Sequence, residues 1–373
     1  MMTREAAVVN TVKTTIDVEA EDMARLTSVV LVLVLFAAAC GGGGGSGGDG
    51  LVTSSLASLP QLDSGGEFVQ ISVSDFRAAT NLVAGESAST ADQFADILAR
   101  RSVKDGGLGF VFGGPEIVLS GFLFASEELD DFVGFELEDI DRTAEAIVPP
   151  ERVSLIVGPG GWGGEAEAYE GDLVTFGQGD DGEIRPAERS ALDSLGRPMR
   201  AAERDGELLA TLSTPLAQGW LDGSAESYAD DEEFMSIAVE LDKHDVISAI
   251  LFAGELGQAT ATAQDLGTRS EPFISEPFSA LGIGGTIRDG RAIEVMSYRF
   301  ASDASAESAI PSLEDAWTTA VLSGGARITD VAELDTIEQS GSVVTVVVLV
   351  PDGTVGFARD MAFRRDPPLA FLQ

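Results

Sequence analysis

The sequence predicts an α+β fold: antiparallel sheets built from Asp-Gly hairpins, with helices packed on one face. Three observations carry this. Asp181-Gly182, Asp205-Gly206, Asp289-Gly290 and Ser340-Gly341 each sit between alternating apolar runs. Tight hairpin turns favour such pairs because they need residues that tolerate positive φ. Segments with helical spacing, such as SYADDEEFMSIAVEL and SAIPSLEDAWTTAVL, separate the hairpins. Hydrophobic residues make up 44% of the chain, enough to fill real cores.

In chain order, residues 41–50 (GGGGGSGGDG) read as a flexible tether, and LVTSSLASLPQLDSGG continues loop-like to residue 66. FVQISV alternates as a strand from Phe68 to Val73. Ser74 or Asp75 then caps a helix through DFRAATNLVAG, closed by Gly85. A second helix, ADQFADILARR, places Phe94, Ile97 and Leu98 on one face. Residues 108–124 read as short strands broken by GGP, Val133–Leu137 as a strand, DIDRTAEAI as a helix and VSLIVG as a strand. The hairpins LVTFGQGDDGEIRP and PMRAAERDGELLATLS follow, then the helix SYADDEEFMSIAVEL and the apolar strand DVISAILFAG.

Residues 258–276 gather small, polar and Pro residues and read as a linker. Beyond them come two further hairpins flanking the helix SAIPSLEDAWTTAVL, and a short helix in VGFARDMAFRRDP. About 310 residues after the tether exceed one comfortable core. Residues 67–257 therefore form one α+β domain, and 277–373 a second domain or the second half of the first. Hairpin, helix and strand alternate in both halves, as a divergent duplication would leave them, although no repeat is sharp in identity.

Residues 1–22 carry Glu5, Asp17, Glu19, Glu21 and Asp22, whereas MARLTSVV from Met23 makes a normal positive n-region with Arg25. Met23 is therefore expected to be the initiator, with 1–22 a start-site error and 23–39 a signal peptide. The apolar run Val29–Ala39 has the length of an h-region, below the roughly 18 residues of a membrane span. The stretch ends AAAC, with small Ala37, Ala38 and Ala39 before Cys40. This resembles the lipobox of bacterial lipoproteins, which usually carries Leu where Ala37 stands. The resemblance implies that Cys40 becomes the acylated (palmitate-bearing) first residue of an extracytoplasmic, membrane-anchored protein. Two or more acyl chains would hold it firmly. The phrases VSDFRAAT and ERDGELLATLS are similar to uncharacterised extracytoplasmic lipoproteins of high-GC Gram-positive bacteria, a resemblance that implies no activity.

The formal net charge is −39, and Lys13, Lys104 and Lys243 are the only lysines. Removal of residues 1–39 takes away five acids and three bases and leaves 57 acids against 20 bases, or −37. Such a surface repels phosphates, which argues against nucleic acid as a partner. The acids are spread along the chain, the pattern of a solvated, salt-adapted surface. Cys40 is the only cysteine, so no disulfide can form, and its acylation leaves no thiol for catalysis or metal.

Few residues suggest chemistry. Gly158, Gly160 and Gly163 match a dinucleotide-binding spacing after a strand. EAEAYEGD allows too little helix to receive a pyrophosphate, and Glu165 and Glu167 would repel it. A glycine loop, with Trp162 tucked against the sheet, is the favoured reading. GGSGG at residues 44–48 lies in the tether, away from any strand-to-helix elbow. His244 is the only histidine and fits a helix C-terminus better than a triad. One His and no free thiol argue against zinc. Carboxylates cluster at Glu136, Glu138, Asp139 and Asp141, at Asp180, Asp181 and Glu183, and at Asp230, Asp231, Glu232 and Glu233. Asp180, Asp181 and Glu183 are the candidates for a calcium site, the only cofactor the sequence suggests. Arg364 and Arg365 are scarce cations near the C-terminus, expected to tie the tail down.

These features lean against an enzyme. They point to a lipid-anchored envelope protein that binds or scaffolds another envelope protein or a small ligand. The solute receptor of an importer is the alternative, and a carboxylate-dependent hydrolase the third reading.

Overall fold

The computed structural model describes residues 50–65, 68–79, 129–136, 139–190, 192–254, 274–351, 356–364 and 366–369. The leader, Cys40, the tether, the helix expected at 91–101, the strands expected at 108–124 and most of the 258–276 linker lie outside these.

The strands are β1 (Val69–Asp75), β2 (Arg142–Val148), β3 (Glu151–Val157), β4 (Glu167–Ala168), β5 (Val174–Phe176), β6 (Met199–Arg204), β7 (Glu207–Thr211), β8 (Ser248–Ala253), β9 (Phe278–Arg288), β10 (Arg291–Phe300), β11 (Glu333–Ser340) and β12 (Val343–Val350). All twelve join one sheet in the order β11-β12-β10-β9-β8-β1-β2-β3-β7-β6-β5-β4, with every pairing antiparallel. Because β8 pairs with β9, the stretches before and after the 258–276 linker are two halves of one sheet.

The helices are α1 (Leu51–Ser58), α2 (Leu129–Val133), α3 (Thr214–Asp222), α4 (Glu232–Asp242), α5 (Asp303–Thr319) and α6 (Phe357–Arg364). They cover both faces of the sheet, which corrects the expectation of helices on one face. Val69, Ile71 and Val73 of β1 join a core with α1, α3 and α4. Ile250 and Phe252 of β8 and Met296 and Tyr298 of β10 face a second core with α2, α5 and α6. The cause is visible in β8, buried at every position, and in the valine run of β12: strands apolar on both sides need cover on both sides.

Four local expectations also change. LVTSSLAS is the helix α1, not a loop, and buries Val52, Ser55 and Leu56. DIDRTAEAI contributes the strand β2 instead of a helix, paired between β1 and β3. A short helix, α2, precedes Gly134 where a strand was expected from Val133. Asp181-Gly182 turns no hairpin, since β5 pairs with β4 and β6 and residues 177–198 form a long connection. Asp205-Gly206 and Asp289-Gly290 do join paired strands, with φ of 53° and 81° and of 52° and 75°. Among the described residues no helix is long and apolar enough to cross a membrane.

Candidate functional site

Among the described residues the strands bury three charged side chains, Glu145, Arg200 and Glu294, and each is the focus of a polar centre. The first crosses the middle of the sheet, on the face of the second core. Ser74 of β1 lies opposite Thr143 of β2 and Ser248 of β8, and Ser72 lies opposite Glu145. Glu145 in turn lies opposite Ser154 of β3, whose hydroxyl donates to it at 3.0 Å. The Ser74 and Ser248 hydroxyls are 3.0 Å apart. All six residues are buried. A one-residue slip of any strand would move these groups into the opposite, apolar core, so the seam fixes register. Closure from solvent keeps a substrate from the Ser154–Glu145 pair.

The second centre is Arg200 of β6, which is fully buried. Its guanidinium donates to Asp181 at 2.9 Å, to the Thr214 hydroxyl at 3.0 Å, to the Thr175 hydroxyl at 2.7 Å and to the Gly179 carbonyl at 2.7 Å. It also stacks 4.1 Å from the centre of the Tyr169 ring. Asp181 accepts further from the backbone N–H of Thr214, the first residue of α3, at 2.6 Å. The Asp181 carboxylate is thus committed to a buried cation and a helix end. Glu183 pairs with Arg185 at 3.6 Å and accepts from the Asp180 backbone N–H at 3.3 Å. Among the described residues no group of three or more His, Cys, Asp or Glu side chains could hold a metal ion, this trio included.

The third centre is Glu294 of β10. Its carboxyl is wholly buried and accepts from the backbone N–H groups of Gly356 and Ala358 (2.9 Å) at the start of α6. Burial pushes this carboxyl up to about 8, although those N–H groups and Arg359 oppose the shift. Glu145 and Glu294 share a face but stand four strands apart, roughly 19 Å at ~4.8 Å per strand. That separation is about twice the widest carboxylate spacing used in glycoside cleavage.

The remaining sequence candidates serve local structure. Trp162 donates to the Ala202 carbonyl at 3.0 Å and packs on Phe135 and Phe176, and no helix follows the glycine loop. His244 lies just beyond α4 with its ring nitrogen 3.3 Å from Arg288. Burial and then Arg288 hold it below its ordinary value. Asp231 caps α4, accepting from Glu233 and Phe234, and Glu232 pairs with Arg299 at 3.0 Å. Asp139 accepts from the Glu136 N–H, and Asp141 pairs with Arg77. Arg364 reaches Asp360 at 3.7 Å within its own helix, while Arg365 lies outside the described residues. Cluster counting passes over Glu145 and Glu294, the two acids with the most unusual surroundings. The signal for both is a lone acid inside an otherwise apolar strand, RTAEAIV and RAIEVMSYRF.

No family model matches the chain, and no curated protein matches it. Two solved crystal structures are similar to it. Crystal form III of TP0453 has a TM-score of 0.36 and 9% identity, covering 83% of this chain and 96% of that chain. Crystal form I of TP0453 has a TM-score of 0.33 and 10% identity, covering 80% and 93%. A likeness this distant carries no functional argument.

Proposed function

We propose that this is a lipid-anchored extracytoplasmic protein of the cell envelope, acylated at Cys40, whose body binds or scaffolds another envelope component without catalysing a reaction. The observation that carries the reading is Val29–Cys40, an apolar run ending in AAAC and passing at once into a glycine tether. The buried polar centres agree with a non-catalytic body. Glu145 and Glu294 are closed from solvent, Arg200 is buried with its partner Asp181 at the surface, and the single histidine lies apart from them beside Arg288. An importer's solute receptor is less well supported, because it needs two parallel-sheet lobes around a cleft and the described strands form one antiparallel sheet. A paired-carboxylate hydrolase is weakened by the separation of Glu145 from Glu294.

Expression of wild type and Cys40→Ser in the native host tests the reading. The wild type should pellet with membranes and yield an N-terminal peptide beginning at an acylated Cys40. The C40S variant should lose both properties. A wild-type protein that is soluble and still carries residues 23–39 would overturn it. Crosslinking on intact cells should then recover the same protein partner repeatedly with wild type and lose it with C40S.

A further inference from the structure

The Arg200 centre differs from the other buried cluster of charges in how its acid is held. Arg152 and Arg197 share Asp193, whose side chain is only 2% exposed, so that cluster is closed on itself. Arg200 is fixed in β6 between Thr175 of β5 and Thr211 of β7, and none of it reaches solvent. Asp181 comes to it from outside and keeps 33% of its side chain exposed. Among the described residues it is the one acid paired with this buried cation.

Asp181 is carried by a strap, residues 177–184, in which every residue is exposed, its single apolar side chain Ile184 included. The strap leaves β5 after Phe176 and rejoins packed chain at Arg185, whose carbonyl a Cβ at Gly196 would strike. Much of its bonding is internal. The Glu183 backbone N–H donates to the Asp180 carbonyl at 3.0 Å, and the Arg185 guanidinium to the Gln178 carbonyl at 2.9 Å. Past Gly177, whose carbonyl accepts from Thr175, its ties to the body run through Arg200 and Thr214, which hold Asp181 and the Gly179 carbonyl. Gly179 and Gly182, at φ of 115° and 73°, make the turns on either side of Asp181 that other residues would resist. Lifting the strap therefore uncovers no apolar side chain of its own.

What Asp181 occupies is a full set of donors for one carboxylate. Its Oδ1 accepts from the Arg200 Nε–H at 2.9 Å and from the Thr214 hydroxyl at 2.8 Å, and its Oδ2 from the Thr214 backbone N–H at 2.6 Å. The Tyr169 ring covers a face of the same guanidinium. A buried guanidinium stripped of its acid is costly, so the strap can open only as another carboxylate arrives. We infer that Arg200, Thr214 and Tyr169 form a binding site for a small organic carboxylate, closed in cis by Asp181, whose strap lifts when the ligand takes its place. The site stands independently of any lipid anchor.

Thermal unfolding of the full chain tests this at neutral pH, with sodium acetate as the probe and sodium chloride at equal ionic strength as the control. Asp181→Ala removes the plug and leaves the cation, and should unfold on the order of 5 °C below wild type. Acetate at tens of millimolar should restore most of that loss and saturate, while chloride should not. The double variant D181A/R200M lacks both charges and should not respond to acetate. In wild type the tethered Asp181 competes at a roughly millimolar effective concentration or above. Acetate at hundreds of millimolar should therefore speed amide exchange of residues 177–184 severalfold, with the Thr214 amide still protected. A D181A loss that acetate does not relieve, equal relief by chloride, or a response that survives in D181A/R200M overturns the site. Should D181A fail to fold, the wild-type exchange decides. Strap amides that respond to acetate and not to chloride support the site, and amides indifferent to both overturn it.

Discussion

The carboxylate of Asp242 accepts the backbone N–H of Val52 at 2.9 Å across 190 residues of sequence, and that of Thr53 at the same distance. Asp242 is the last residue of α4, where an acid opposes that helix's own dipole. Here it meets the positive end of α1, whose own N-cap residue, Gly50, has no side chain to offer. A Cβ at Gly50 would fall 2.1 Å from the Asp242 Cγ, so the same contact explains the glycine.

Asp242→Ala should therefore cost about 1–2 kcal/mol, the usual worth of a helix cap. Limited proteolysis should then open the chain first at Leu51–Ser58. Asp242→Asn keeps one acceptor oxygen and turns an N–H2 donor towards the other backbone N–H, so it should lose stability as well. A D242A protein as stable as wild type would show that Asp242 does not cap α1.

Gly282 and Gly284 of β9 let α4 approach the sheet. A Cβ at Gly282 would lie 2.2 Å from the Ile237 Cγ2, and one at Gly284 2.6 Å from the Val246 Cγ1. Both neighbours are β-branched and turn aside poorly. Gly282→Ala should cost about 1–3 kcal/mol by overpacking. Adding Ile237→Ala should return part of that loss, and additive costs in a double-mutant cycle would count against the contact.

Asp193 sets an acid limit on stability. Burial raises its carboxyl, but the Arg197 guanidinium and the backbone N–H groups of Arg197 and Leu195 outweigh that and hold it below the ordinary 3.8. Arg152 adds a second ion pair at 3.0 Å. A lowered folded value means that the stability contributed by Asp193 is present above about pH 4 and lost as pH falls further. Urea midpoints should therefore drop between pH 5 and 3 in wild type, and drop less in Asp193→Asn. Parallel curves for the two proteins would remove Asp193 from the acid response.

Hairpins at Asp205 and Asp289 were legible because the turn needs two residues that tolerate positive φ, a local demand written in the dipeptide itself. Asp181-Gly182 has the same letters and a different fate. The partner that captures Asp181 is Arg200, whose burial no nearby residue announces. RTAEAIV holds good helix formers and became a strand because β1 and β3 flank it, a tertiary choice that outweighs propensity. Ser54 and Ser55 made LVTSSLAS look like a loop, yet their hydroxyls turn back onto the Leu51 carbonyl at 3.2 and 2.7 Å. The calcium candidates failed to converge for the same reason that the buried acids escaped notice. Counting acids along the chain finds exposed turns, whereas a buried acid shows as one acid alone among apolar neighbours.

The place of β1 at the centre of the sheet sets a timetable for folding. One edge of β1 is closed by β2, the next described strand, while the other waits much longer for β8, as Ser74 and Ser248 lie 174 residues apart. A chain emerging from its N-terminus can assemble β1, β2, β3, β7 and β6 early, yet this half-sheet carries an unpaired apolar edge until β8 arrives. Such edges recruit other strands, and pairings between distant segments form slowly. The interval before β8 docks is therefore when the chain is most exposed to aggregation, and when a holding chaperone would have most to protect.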